Sequence, residues 1–223
     1  QPYLKDNDRI LDCGTGEMTT ITSVANKVFP DSVKLYCFDI SLSRILWGSQ
    51  FSNKFMNKKL SSNVKPFIAT LDNIPVLDNS IDIVCTIHAL EPNYGKESKI
   101  LQEIFRVACR KIILFEPSYE DNSQKGKDRM ESHGYIRNLP EQIKNNNGRL
   151  EKKIKIENAI NPLNPTYAYI ITPPNNAKRV ESVFACPVTK TPLVENSDCL
   201  YSDKSLLVYP KISNIPILRK KYH

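Results

Sequence analysis

The sequence predicts an open, doubly wound α/β fold: a mostly parallel sheet with an antiparallel final strand pair, plus a small C-terminal β-rich domain. Three observations predict it. Apolar strand-like runs alternate with helix-spaced segments up to residue 117. "EKKIKIEN" (151–158) and "TYAYIIT" (166–172) follow one another with only a short connection, which suits antiparallel pairing at a sheet edge. "TPPNNAK" (172–178) then reads as a linker before a compact strand-and-turn segment, 183–218. The expected division is 1–178 for the main domain and 179–223 for the small one.

Taken in order, Ile10–Cys13 reads as a short buried strand, and Met18–Val28 as a helix that Pro30 helps to end. "VKLYCFDI" (33–40) is a second strand and Arg44–Phe55 a second helix. "VKPFIAT" (64–70) is a third strand, placed near an edge by Pro66. "IDIVCTIH" (81–88) is almost continuously apolar, as a strand covered on both faces should be. Lys96–Ala108 carries apolar residues at 100, 101, 104, 105 and 108, a helical spacing, and "KIILFEP" (111–117) is a fifth strand. Tyr135–Asn147 reads as a helix ahead of the last two strands.

The 223 residues suffice for one well-cored domain with a small appendage. No apolar run approaches the ~20 residues that span a bilayer, so no membrane partner is expected. No secretory leader is visible, and Gln1 is not a natural start, so upstream residues are expected. The six cysteines (13, 37, 85, 109, 186, 199) form no C-x-x-C pair and read as reduced, packed thiols of a cytoplasmic protein. The net charge of +7 is diffuse: residues 179–223 hold seven Lys/Arg against four Asp/Glu, and the local runs are "NKK" (57–59) and "RKK" (219–221). A diffuse excess reads as a solvated surface, so nucleic acid is not favoured as a partner.

The most specific stretch is "ILDCGTGEMTT" (10–20), a strand running into Gly14-Thr-Gly16 and then a helix. Such a turn lies where ligands of open parallel sheets bind, and its glycines permit close backbone approach. Thr19 stands where the dinucleotide fingerprint needs a third glycine, and no Gly-Lys-Ser/Thr follows. Three acids sharpen the reading. Asp12 ends the first strand and suits a cationic group; Asp39 ends the second and can accept from both hydroxyls of a ribose; Asp72 follows the third, placed to meet an adenine amine. In this order they fit a ligand with an adenosine and a cationic amino-acid end.

With "CFDIS", "LDNIPVLDNSIDIVCTIHALE" and the final antiparallel pair, residues 9–172 resemble the class I S-adenosylmethionine-dependent methyltransferases. The resemblance implies a Rossmann-like fold, S-adenosyl-L-methionine as cofactor, and binding by Asp12, Cys13, Gly14, Gly16, Asp39, Ile40, Ser41, Leu71, Asp72, Asn73, Ile87 and His88. Met18 stands where the family has a small residue, which is expected to narrow the methionine end. Residues 184–218 resemble the small activator subunit of tRNA and protein methyltransferases. Zinc-binding members use two Cys-x-x-Cys pairs, whereas here Cys186 is followed three on by Thr189, and Cys199 by Ser202. With at most two of four ligands, the module is expected to be zinc-free and held by Val188, Leu193, Leu207, Tyr209 and Ile217.

Acceptor-facing groups should follow the fourth and fifth strands. The catalytic candidates are His88, Glu91 and Glu116, with Tyr119, Arg129 and His133 for binding a substrate, anionic groups included. His88 could instead pack against the cofactor, and Glu91 and Glu116 could serve as structural hydrogen-bonding groups. "TIHALEP" after the fourth strand lacks the Asn/Asp-Pro-Pro-aromatic motif of enzymes methylating nucleobase or glutamine amides. The reading is a methyltransferase for a small-molecule acceptor: a sugar, nucleotide-sugar or phosphorylated metabolite of bacterial surface-polysaccharide synthesis. The alternatives are an RNA methyltransferase, which a basic stripe with exposed aromatics beside the cofactor would favour, and a non-catalytic cofactor-binding scaffold. The sequence leaves the oligomeric state open.

Overall fold

The structure, a computed structural model, describes residues 2–157, 161–174 and 177–220. Asn158, the middle of the expected linker (175–176) and Lys221 of the "RKK" run lie outside the described residues.

The first half alternates as expected: β1 (Arg9–Cys13), α1 (Thr19–Val28), β2 (Lys34–Asp39), α2 (Leu42–Phe55), a single-turn α3 (Lys58–Ser61), β3 (Val64–Ile68), β4 (Ile81–Ile87), α4 (Glu97–Val107) and β5 (Ala108–Pro117). After α5 (Gln124–Ser132) and α6 (Leu139–Asn145) come β6 (Arg149–Lys155) and β7 (Thr166–Thr172). These seven strands form one sheet in the order β3-β2-β1-β4-β5-β7-β6. Strands β1 to β5 are parallel, and β7 is antiparallel to both its neighbours. A separate four-stranded sheet comprises β8 (Val194–Glu195), β9 (Cys199–Tyr201), β10 (Val208–Ile212) and β11 (Ile215–Pro216), in the order β11-β10-β9-β8.

Period-two alternation assigns the strand residues to two faces. Leu11, Tyr36, Phe38 and Val84 pack with Ile100, Leu101, Ile104 and Phe105 of α4 and with Leu139 and Ile143 of α6. Their neighbours Ile10, Leu35, Cys37 and Ile83 pack on the other face with Ile21 and Ala25 of α1. Both faces are thus covered, which is why β1, β2 and β4 read as nearly continuous apolar runs.

Two helical expectations need correction, and one helix was not expected. Tyr135–Asn147 is helical only over Leu139–Asn145, because Asn138 adopts a left-handed conformation (φ 53°) and Pro140 occupies the first turn. Helix α5 was not expected: it has little apolar periodicity and forms on a Ser123 cap, whose hydroxyl accepts from the Gly126 N–H at 3.2 Å. The first helix begins at Thr19, since Met18 is left-handed (φ 57°) and fully buried. Met18 therefore points away from the strand ends and lines no cavity there. It packs into the α1–α2 junction, where a Cβ added at Gly48 would lie 2.7 Å from Met18 Cγ and 2.9 Å from the Glu17 carbonyl carbon. Gly48→Ala gains helix propensity of about 1 kcal/mol but meets backbone that cannot yield cheaply. We expect a net loss of roughly 1–2 kcal/mol in denaturant unfolding; a stabilised variant would contradict this packing.

Pro66 does lie on the outermost strand of the main sheet, and the C-terminal segment covers that edge. Ile217 bridges Ile68, and the Leu218 N–H donates to the Ile68 carbonyl at 2.9 Å. The Phe184 ring packs edge-on against Phe67 (5.3 Å) and Tyr36 (5.9 Å), while Lys190 Nζ reaches Glu103 at 2.7 Å. Within this segment Tyr209 and Ile217 are buried as expected, but Val188 and Leu207 are 49% and 42% exposed and do not hold it together.

The counterpart of the Cys186–Thr189 turn is Ser202–Ser205, not Cys199–Ser202. Each turn has a backbone N–H three residues on donating to the first side chain (Thr189 to Cys186 Sγ, 3.5 Å; Ser205 to Ser202 Oγ, 3.2 Å). Each closes with a left-handed residue, Lys190 or Leu206. The turns meet through Cys186 Sγ and Ser205 Oγ at 3.3 Å. Burial opposes ionisation of Cys186, but hydrogen bonds from Ser205, Thr189 and Tyr209 outweigh it and bring the thiol down to about 6. Among the described residues no group of three or more His, Cys, Asp or Glu side chains could hold a metal ion.

Candidate functional site

The strand order reverses between β1 and β4, and at the carboxyl ends of these strands lies a cavity of about 650 Å³. Its floor is the Gly14–Gly16 turn. Gly14 has φ 72°, and a Cβ there would meet Ala89 Cβ at 2.6 Å, so the β1 turn approaches the β4 loop as only glycine allows. Asp39 stands at the end of β2, buried, with Oδ2 accepting from the Gly16 N–H (3.1 Å) and Oδ1 from the Ser41 N–H (2.9 Å). Arg44 spans the rim, bidentate to Glu17 (2.9 and 3.1 Å) and 3.8 Å from Asp39.

Of the residues expected to bind the cofactor, Gly14, Gly16, Asp39, Ile40, Leu71, Asp72, Ile87 and His88 line this cavity. Asp12, Cys13, Ser41 and Asn73 do not. Ser41 caps α2, Cys13 is buried in the core, and Asn73 Oδ1 accepts from Lys190 Nζ at 2.7 Å. Asp72 pairs with Lys99 at 3.2 Å; burial opposes its ionisation, but Thr70 and Lys99 hold it below the usual range. Arg44, Asn93 and Lys96 also line the cavity and were not expected there; no local pattern marks them.

Asp12 lies beneath the turn, level with Cys37 and Cys85 on the neighbouring strands. Burial raises its carboxyl to about 6, although the nearby Thr15 and the Cys85 thiol, 3.6 Å from Oδ1, pull the other way; Asp39 adds a smaller push upward. Because the folded value exceeds the unfolded one, this group's contribution to stability falls as pH rises from about 4 to 6.

On the other wall His88 directly follows β4 in a left-handed conformation (φ 54°), its N–H donating to the Phe115 carbonyl at 2.9 Å. Its Nδ1 lies 2.5 Å from Glu91 Oε2, and its Nε2 lies 3.0 Å from Thr166 Oγ1 of β7. The hydrogen bond to Glu91 raises the imidazole pKa; burial works against this, and the charges of Glu91 and Glu116 add to it. Burial favours a neutral Glu91, yet hydrogen bonds from His88, Tyr135 and Asn164 hold it below the usual range. Asn164 Oδ1 beside this pair is buried without a partner among the described residues.

Glu116 is fully buried and accepts from Thr86 Oγ1 (2.7 Å) and from the backbone N–H groups of Ala89, Leu90 and Glu91 (3.1, 3.1 and 3.2 Å). Burial lifts it to about 7 against those bonds. Thr86 is on β4, and the three backbone partners belong to the loop that carries His88 and Glu91, so Glu116 ties that loop to the strand end. Tyr119, Arg129 and His133 stand apart from the cavity lining. Tyr119 bonds Glu131 at 2.5 Å, His133 Nδ1 faces the Arg129 carbonyl at 2.9 Å, and Arg129 lies 5.4 Å over the Tyr135 ring.

No family model and no curated protein sequence matches the chain. Solved structures do. A SAM-dependent methyltransferase from Aquifex aeolicus is 16% identical over 76% of this chain and 84% of that one, with a TM-score of 0.57. Geranyl diphosphate C-methyltransferase from Streptomyces coelicolor, in complex with S-adenosyl-L-homocysteine, is 9% identical over 77% and 75%, with a TM-score of 0.60. This chain has the methyltransferase fold. A structure of a Haloferax volcanii methyltransferase activator in complex with a methyltransferase matches at 14% identity over 79% of this chain and 86% of that one, with a TM-score of 0.62.

Proposed function

We propose that the protein is an S-adenosyl-L-methionine-dependent methyltransferase acting on a small-molecule acceptor, a sugar, nucleotide-sugar or phosphorylated metabolite. The observation that carries this is the cavity at the strand-order reversal, with Asp39 on one wall and the His88–Glu91 pair on the other. The residues fit the cofactor: Asp39 retains acceptor capacity for two ribose hydroxyls, Gly14 and Gly16 admit close approach, and Asp72 can meet the adenine amine. When bound, the cofactor supplies an already activated sulfonium methyl.

What the chain adds is positioning, exclusion of water and proton removal. Glu91 takes the Nδ1–H of His88, which leaves the Nε2 lone pair as the proton acceptor. Thr166 holds that nitrogen at 3.0 Å, so an acceptor hydroxyl reaches Nε2 by displacing the Thr166 hydroxyl. Asn164 Oδ1, buried beside the pair, is the acceptor that a second hydroxyl of a polyol would find once Thr166 is displaced. The C-terminal segment, by its hold on the β3 edge, acts as a built-in counterpart of an activator subunit.

Asp12 gives a pH test. Asp12 lies beneath the cavity floor and not in its lining, so its charge would act on a cationic amino-acid end across the Gly14–Gly16 turn, and cofactor affinity should rise modestly with pH up to about 6 and level off above. Asp12→Asn should remove that slope in titrations across pH 5–8. The function is tested by a screen with methyl-labelled cofactor against sugars, nucleotide-sugars, phosphorylated metabolites and RNA. Transfer to one of the small molecules is expected; transfer to RNA alone would reject the acceptor class, and cofactor binding with no transfer to any class would favour a scaffold.

A further inference from the structure

Helix α2 buries Ile45, Gly48 and Ser52 and turns Trp47 and Phe55 outward, with a half-buried Phe51 between them. At spacing i, i+4, i+8 these rings form one line about 12 Å long. Trp47 is 68% and Phe55 52% exposed, so the stripe buries little within the chain. The sequence around it carries charge of one sign. Residues 40–71 contain Arg44, Lys54, Lys58, Lys59 and Lys65 and no Asp or Glu. Arg44 pairs with Glu17 and Lys59 with Asp31. Among the described residues no carboxylate lies within ion-pair distance of Lys54, Lys58 or Lys27. Lys27 follows Asn26, whose amide bonds the Phe55 carbonyl at 2.8 Å.

We propose that this face of α2 docks on an anionic lipid bilayer, with Trp47, Phe51 and Phe55 entering the interface and Lys27, Lys54 and Lys58 meeting the headgroups. A stripe of large rings framed by lysines that have no carboxylate partner among the described residues is the pattern of an interfacial helix, whose aliphatic lysine stems lie along the apolar rings. Lack of a spanning run does not bear on such a contact. Single-stranded nucleic acid fits less well. Phe51 and Phe55 pack against each other at 4.7 Å with their rings tilted by 44°, and Lys54 Nζ sits 5.0 Å over the Phe55 ring, which leaves Trp47 as the open stacking platform. The stripe also leads away from the Asp39 end of the cavity rather than past His88. The contact holds whether or not the cavity takes S-adenosylmethionine.

Trp47 is the only tryptophan, so the full chain carries its own reporter. Vesicles of phosphatidylcholine and phosphatidylglycerol should shift its emission to the blue and protect it from acrylamide at low salt, with the effect fading at high salt. Phosphatidylcholine alone should do neither. Lys54→Gln with Lys58→Gln should lower partitioning about 30-fold, at roughly fivefold per lysine. Phe55→Ser should weaken the blue shift with thermal unfolding little changed. Trp47 emission and quenching unaltered by anionic vesicles would overturn the proposal. So would a shift produced by a single-stranded RNA oligonucleotide and not by vesicles, or one produced by raising protein concentration without lipid.

Discussion

His88→Asn is expected to lower turnover by about 10²–10⁴-fold while leaving cofactor affinity nearly intact. Asparagine tolerates the left-handed backbone at this position better than alanine, so the loop should survive the change. It cannot take up a proton near neutrality, which isolates the base function. The sign of the pH dependence follows from the site. Glu91 raises the His88 pKa, so the imidazole stays protonated to higher pH than an ordinary histidine. The rate should therefore rise with pH along a limb above about 6.5, and His88→Asn should lose that limb. The same pairing stabilises the fold below that range and ceases to do so as pH climbs through the raised pKa. If turnover and cofactor affinity fall together, with the pH profile unchanged, His88 is a wall of the cavity and not the base.

Asp39→Ala is expected to weaken S-adenosyl-L-methionine binding by about 2–4 kcal/mol, roughly 30- to 700-fold. Two losses combine. The carboxylate no longer accepts from the ribose, and the Gly16 and Ser41 N–H groups it holds are left without that partner. Asp39→Asn keeps one oxygen acceptor and should fall between the two. Equal affinity in all three forms would show that the ligand, if any, does not sit against β2.

Much of this fold was readable because its signals are local. Period-two apolar runs mark β1, β2 and β4, and Gly14, Gly16 and Asp39 each sit at a strand end within 30 residues of one another. What escaped reading depends on contacts remote in sequence. Thr166 meets His88 across 78 positions, and Asn164 meets Glu91 across 73. Arg44 looks like any exposed helix arginine until folding sets it beside Gly16. Helix α5 has no apolar stripe to announce it. The Ser202–Ser205 turn was missed because a search for cysteine spacing skips a turn that keeps the backbone and loses the thiols. Met18 was misjudged for a conformational reason: its positive φ swings the side chain under α2 rather than into the cavity.

The central claim is that the cavity between Gly14, Asp39 and His88 holds S-adenosyl-L-methionine. Titration calorimetry of the cofactor into the intact protein tests it most directly. Saturable binding at one site per chain, lost by roughly 30-fold or more in Asp39→Ala, is the predicted result; no binding heat at any pH between 5 and 8, or binding that Asp39→Ala leaves untouched, would contradict it.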